Sequence, residues 1–149
     1  VIRTLSAEER LMLEESAQHY VDYVKNTGTQ HNRSPMRLVF WGTRGSISTP
    51  GNQTVRYGGN TPCVELRLAN KELIILDAGT GIRNLGERLI ENGESIKAYL
   101  MISHMHWDHI QGFPFFKPAF ISGNELTIIG GETEKVSLQK MISDQMNKD

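Results

Sequence analysis

Seven residues constrain this chain more than any others. Ser103-His104-Met105-His106-Trp107-Asp108-His109 follows directly on an apolar run from Ile96 to Ser103. Four side chains able to ligate a metal fall within six residues, and they include three of the five histidines. Side chains two apart on a strand point to one face, so the spacing lets His104 and His106 grip one ion together. Asp108 and His109 lie where the chain should leave the strand, and a turn there can aim both at a second ion beside the first. Neutral imidazoles with a carboxylate suit zinc, and also iron or manganese. An isolated His is usually structural or simply exposed, and His19 and His31 are assigned no ligand role. Desolvating a cluster of this kind without a partner is costly, which makes metal binding the reading it supports.

The pattern around the cluster mixes strands and helices. Leu38-Val39-Phe40-Trp41 is a short apolar run ending at Gly42. Cys63 to Leu68 alternates apolar and polar residues, Asn70-Lys71 makes a turn, and Leu73 to Leu76 follows, which reads as a hairpin. Ile82 to Asn92 reads as a helix with Leu85, Leu89 and Ile90 on one face. Leu126 to Ile129 is a strand closed by Gly130-Gly131. Glu134 to Met146 is a helix with Val136, Leu138, Met141, Ile142 and Met146 as its apolar set. The class is α/β or α+β.

Residues 1–35 read differently. Ser6-Ala7-Glu8-Glu9 is a capping box; Leu13, Ala17, Tyr20, Val21 and Val24 recur at helical spacing, and Gly28 closes the helix. Thr27 to Pro35 is a polar linker. This segment is either a helix packed on its own domain or the end of an upstream one, and residues 36–149 form a separate unit. A chain of 149 residues beginning at Val1 is expected to be processed or excised from something longer. At net charge −1 it carries no electrostatic footprint for non-specific nucleic-acid or membrane binding. It has no apolar run of membrane-spanning length and no signal-peptide core. Its single cysteine, Cys63, excludes an internal disulfide. These features suggest a cytoplasmic protein. Cys63 reads as a buried strand residue with nothing nearby to activate it.

The pattern His-x-His-x-Asp-His resembles the signature of the metallo-β-lactamase-fold hydrolases. Gly42-Thr43-Arg44-Gly45-Ser46 resembles their opening strand and loop, and Tyr57 to Cys63 the segment entering their second strand. Leu76-Asp77-Ala78-Gly79-Thr80-Gly81 resembles their strand-end Asp-x-Gly motif, and Gln111-Gly112-Phe113-Pro114 continues the metal loop as they do. The branch it resembles most contains ribonuclease Z and cyclic-phosphodiesterase-type enzymes. The resemblance runs from about Met36 to the end of the chain and implies a metallo-β-lactamase-like αββα sandwich. It implies two divalent metal ions, zinc foremost: His104 and His106 on the first, Asp108 and His109 on the second. A hydroxide held between them would attack a phosphodiester, Asp108 would ligate and orient it, and Asp77 would support the metal loop. Arg44 is a weak candidate for a substrate phosphate; Phe113, Phe115 and Phe116 are read as core, and Trp107 as an anchor or rim of the loop.

The departures matter as much as the match. Full family members are longer, are built of two similar halves, and supply a further His, a bridging Asp and a final His. After His109 this chain has no histidine, and its only later aspartates are Asp144 and Asp149. It therefore resembles the N-terminal half of the fold, with the inner face of its sheet exposed, and is expected to be inactive alone. A missing C-terminal half or a homodimer would cover that face. Two hypotheses follow: a dinuclear metal hydrolase, on a small or nucleotide-type phosphodiester with nucleic acid unsupported by charge, or a non-catalytic metal-binding or interaction module. Thioesters and lactones remain substrates open to the same fold.

Overall fold

The computed structural model describes residues 2–4, 6, 8, 11, 15, 36–93, 95–131 and 137–146. Its frame is a mixed sheet of six strands: β1 (Ile2–Thr4), β2 (Arg37–Gly42), β3 (Cys63–Arg67), β4 (Leu73–Leu76), β5 (Lys97–Ile102) and β6 (Glu125–Gly130). They lie in the order β1-β6-β5-β4-β3-β2. β2, β3 and β4 pair antiparallel, whereas β4, β5, β6 and β1 run parallel.

The hairpin between β3 and β4 forms where the sequence places it. The Lys71 amide donates to Leu68 O at 2.9 Å and the Glu72 amide to Asn70 Oδ1 at 3.1 Å. Lys71 takes φ 69°, the left-handed conformation such tight turns demand. Parallel strands need a crossover, and α1 (Gly81–Glu91) supplies it between β4 and β5. Ile82, Leu85, Gly86 and Leu89 are its buried stripe. Ile90 is not part of it: the residue is 36% exposed. At about 100° per residue it is turned away from the direction of Leu89.

The alternation of the strands sorts the sheet into two faces. Glu65, Ile75, Leu100 and Ile128 stand in one cross-strand row, all buried. That row joins Ile82, Leu85 and Leu89 of α1, and Leu138 and Ile142 of α3 (Leu138–Met146), around one core. Phe113 and Phe116, in the turns between β5 and β6, fill the same core, while Phe115 turns out at 62% exposure. On the opposite face Leu38, Phe40 and Met101 stay exposed, Phe40 at 64%. The structure thus covers one side of the sheet with helices and leaves apolar residues of the other in contact with solvent.

Two expectations fall wholly or mainly outside the described residues. Of the N-terminal helix only Glu8, Leu11 and Glu15 are described, and they are helical; Ala7 and Glu9 of its capping box, its apolar stripe, His19, His31 and the linker from Thr27 to Pro35 lie outside the described residues. The tail helix is described from Leu138, so Val136 also lies outside. No helix among the described residues is long and apolar enough to cross a membrane.

Candidate metal centre

The parallel pairing of β4 and β5 builds the site. Leu73 faces Ala98 and Leu76 faces Met101, so the two strands end side by side. Asp77 leaves one and Ser103 the other at the same edge of the core. Asp77 takes φ 62°, and its amide donates to Met101 O at 2.8 Å. Its carboxylate then meets the neighbouring loop. Oδ1 accepts the Ser103 amide at 2.8 Å, and Oδ2 accepts the Ser103 hydroxyl at 2.9 Å. Oδ2 also lies 2.9 Å from His109 Nδ1.

The histidines do not lie on the strand, as the alternation rule suggests. β5 stops at Ile102, and His104 and His106 sit in the irregular segment after it. His106 caps a single helical turn, α2 (Trp107–Ile110), which carries Asp108 and His109. The turn brings His109 back under the loop. Its ring centroid is 4.1 Å from that of His104, and His104 is 4.4 Å from His106. Three imidazoles are therefore gathered at one place, with His104 in the middle, edge-on to His106 and tilted against His109. Ser103 Oγ lies 3.0 Å from His104 Nδ1 and ties that ring to Asp77.

The two nitrogens of His109 face different partners. Nδ1 meets the Asp77 carboxylate, and Nε2 lies 3.5 Å from Asp108 Oδ2. A proton on Nδ1 satisfies Asp77 and leaves the Nε2 lone pair facing a second carboxylate. Metal-ligating histidines are oriented in this way, by a carboxylate on the far nitrogen. Asp108 Oδ2 also accepts the Ser46 amide at 2.8 Å. That amide is the main cause holding the Asp108 carboxyl below the usual range; loss of solvent acts the other way, and its own amide and the His109 and His106 rings add to the lowering. Ser46 holds its amide there from a left-handed conformation, φ 72°. Arg44 does not reach the cluster in this state: its Nε donates to Ile47 O at 2.9 Å and braces the Ser46 loop.

Backbone packing fixes the loops against one another. The Ala78 amide donates to His109 O at 2.7 Å, and the Gly112 amide to Ala78 O at 2.8 Å. A Cβ on Gly79 would stand 2.5 Å from Asp108 O and from Thr61 Oγ1, so glycine is needed for this approach. Thr61, fully buried, accepts the Thr80 amide at 2.7 Å through Oγ1. Gln111 donates to the same oxygen at 3.3 Å. Trp107 is 62% exposed and stands at the rim of the cluster.

The donor chemistry, three imidazoles and a carboxylate, fits zinc, iron or manganese. The geometry stops short of a closed set: among the described residues no three His, Cys, Asp or Glu side chains come together in a group able to hold an ion. Cys63 adds no ligand or nucleophile. Burial above all, then the charges of Asp77 and Glu65, pushes its thiol far above the ordinary range, so it stays a thiol.

Two contributors went unread in the sequence. Ser103 ties Asp77 to His104, and its place directly before His104 was the available signal. Ser46 acts through a backbone amide, for which a side-chain pattern gives no signal. Comparison with family models, with curated proteins and with solved structures finds no match for this chain.

Proposed function

We propose that this chain carries part of the active centre of a metal-dependent hydrolase acting on phosphodiesters. The observation that carries the reading is the pair His109 Nε2 and Asp108 Oδ2. They are two bases 3.5 Å apart, with Asp77 on the other nitrogen of the imidazole. Two lone-pair groups held face to face are stabilised by a shared cation. His104 and His106 stand beside them as a second pair. In this reading His104 and His106 hold one ion, and Asp108 and His109 hold the other. Divalent ions so held supply a nucleophile at neutral pH and neutralise charge developing on a phosphoryl group.

The residues of the chain itself orient and tune. Asp77 keeps the proton of His109 on Nδ1 and so directs Nε2 inward. Ser103 holds the His104 ring to the same carboxylate. The Ser46 amide fixes the Asp108 carboxylate and keeps it ionised. The choice of phosphodiester rests on the resemblance of the motifs, from Gly42 through Asp77 to Pro114, to the ribonuclease Z and phosphodiesterase branch. Each ion receives two ligands from this chain, so turnover needs ligands from further residues or a second copy.

A second reading is a non-catalytic metal-binding or interaction module, and the absence of a closed three-ligand group among the described residues is compatible with its interaction form. Metal analysis separates the two. The full chain is exposed to zinc, freed of excess and analysed by plasma mass spectrometry, then assayed on a generic phosphodiester. Two ions per chain with hydrolysis lost in His106→Ala support the hydrolase. Bound metal without hydrolysis, in the chain and in any longer form, supports the module. No bound metal at any concentration, in the chain and in any longer form, overturns the hydrolase and leaves the interaction module.

A further inference from the structure

At the other end of the sheet lies a second concentration of charge. Arg67 pairs with Leu73, where β4 begins, and so sits away from the Asp77 end of that strand. Arg37 of β2 stands directly opposite Arg67 of β3 in the strand register. Like charges placed so are destabilising. A single carboxylate offsets them: Glu65 Oε1 accepts Arg37 Nη2 at 2.9 Å and Arg67 Nε at 3.0 Å. Its Oε2 accepts Trp41 Nε1 at 3.0 Å. Arg88, from α1, completes the cluster, its guanidinium 5.7 Å from the centre of the Trp41 ring. Arg37, Glu65, Arg67 and Arg88, with Leu89 and Asn92, line a cleft of about 320 Å³, and Trp41 backs it through its contacts with Glu65 and Arg88.

We propose that this cleft binds the phosphate group of a small phosphorylated molecule. Three guanidinium groups against one carboxylate leave a net charge of two positive, which matches the roughly −1.5 to −2 carried by a phosphomonoester near pH 7. The donors are in surplus. Glu65 takes one N–H of Arg37 and one of Arg67, and among the described residues the Arg88 guanidinium meets the Trp41 ring without a hydrogen bond of its own. The forks are also pre-set. Glu65, 2% exposed, pins two of them, and the indole supports the third. Planar guanidinium forks held in place suit a tetrahedral oxyanion through paired N–H donors. The cleft equals about ten water volumes at roughly 30 Å³ each, enough for a phosphate and a small organic part. A structural ion pair alone needs one arginine for Glu65, and the structure spends two and adds a third. The site is separate from the metal centre and stands or falls independently of the hydrolase reading.

The test uses the full chain, freed of metal with a chelator, and inorganic phosphate as probe. The Trp41 indole N–H cross-peak, one of two tryptophan signals, reports on the cleft. Saturable movement of that peak with phosphate, and none with chloride at equal ionic strength, is the expected result. Arg88→Gln weakens the affinity at least about fivefold, the loss of one charge-assisted contact, and Arg88→Lys falls between. Lys140→Gln, remote on α3, and His106→Ala leave it unchanged. No saturable shift in the native chain overturns the proposal, as does equal weakening by Lys140→Gln. Loss of binding in His106→Ala rather than Arg88→Gln assigns the phosphate to the histidine cluster and overturns it too.

Discussion

Glu65 is a charged residue in a cross-strand row otherwise aliphatic, with Val39, Ile75, Leu100, Ile128 and Ile2 as its other members. Burial alone would raise its carboxyl. The Arg67 and Trp41 hydrogen bonds and the charges of Arg37 and Arg67 outweigh that and hold it below the usual carboxylate range. A carboxyl depressed in the folded state stabilises fully above its unfolded pKa, about 4.3, and the gain is lost as pH falls through the lower folded value. Glu65→Gln is therefore less stable than the parent at pH 7, and the gap narrows below about pH 4; urea titrations at pH 7 and pH 3 measure both. Glu65→Ala costs about 1–3 kcal/mol at neutral pH, at the modest end for a buried partner because Arg37, 51% exposed, can turn to water. Asp77 acts differently, through His109. Asp77→Asn keeps the shape and loses the charge, so on the proposed metal-binding reading zinc affinity falls about 10–100-fold with little change in the thermal midpoint, which competition titration against a chelating dye resolves.

Among elements, the contact that matters is between two loops rather than two helices. The Asp77–Gly81 turn and the α2 turn share the Ala78–His109 and Gly112–Ala78 backbone bonds. Gly79 lies between them with no room for a Cβ. Gly79→Ala must part the loops, and overpacking of this kind costs about 1–3 kcal/mol. The expected signature is a lowered melting temperature together with lost metal affinity, whereas Gly123→Ala, on an open turn at φ 91°, lowers the melting temperature alone. α1 owes its place to the stripe of Ile82, Leu85, Gly86 and Leu89 against the sheet. Leu85→Ala removes a fully buried side chain and costs about 2–5 kcal/mol, read from chemical denaturation.

For the whole molecule, the sheet is asymmetric. Leu38, Phe40 and Met101 present apolar surface on the face opposite the helices. Patches of this sort mark contact surfaces or drive association. Self-association of the chain is expected to rise with concentration, and Phe40→Lys, which places a charge in the patch, lowers it; light scattering across a concentration series measures the change. Parent and variant scattering alike as monomers at every concentration shows that the face drives no association.

Much of this was legible in the chain. Local periodicity marked the hairpin, both described longer helices and the strands β2 to β6, because hydrophobic alternation and helical spacing are properties of neighbours in sequence; β1 went unread, since three residues carry no period and only the pairing with β6 makes them a strand. The order of Asp77 before the His cluster marked residues that the structure brings together at the ends of β4 and β5. Three things needed the tertiary structure. The histidines left the strand, since β5 ends where its pairing with β4 and β6 ends. Ile90 turned outward, since the width of a helix stripe is decided by what packs on it. Arg37, Arg67, Arg88 and Glu65 are distant in sequence, and only strand register and the placement of α1 bring them to one cleft. Residue type and short spacing determine which groups a chain offers; the pairing of strands remote in sequence decides which of them meet.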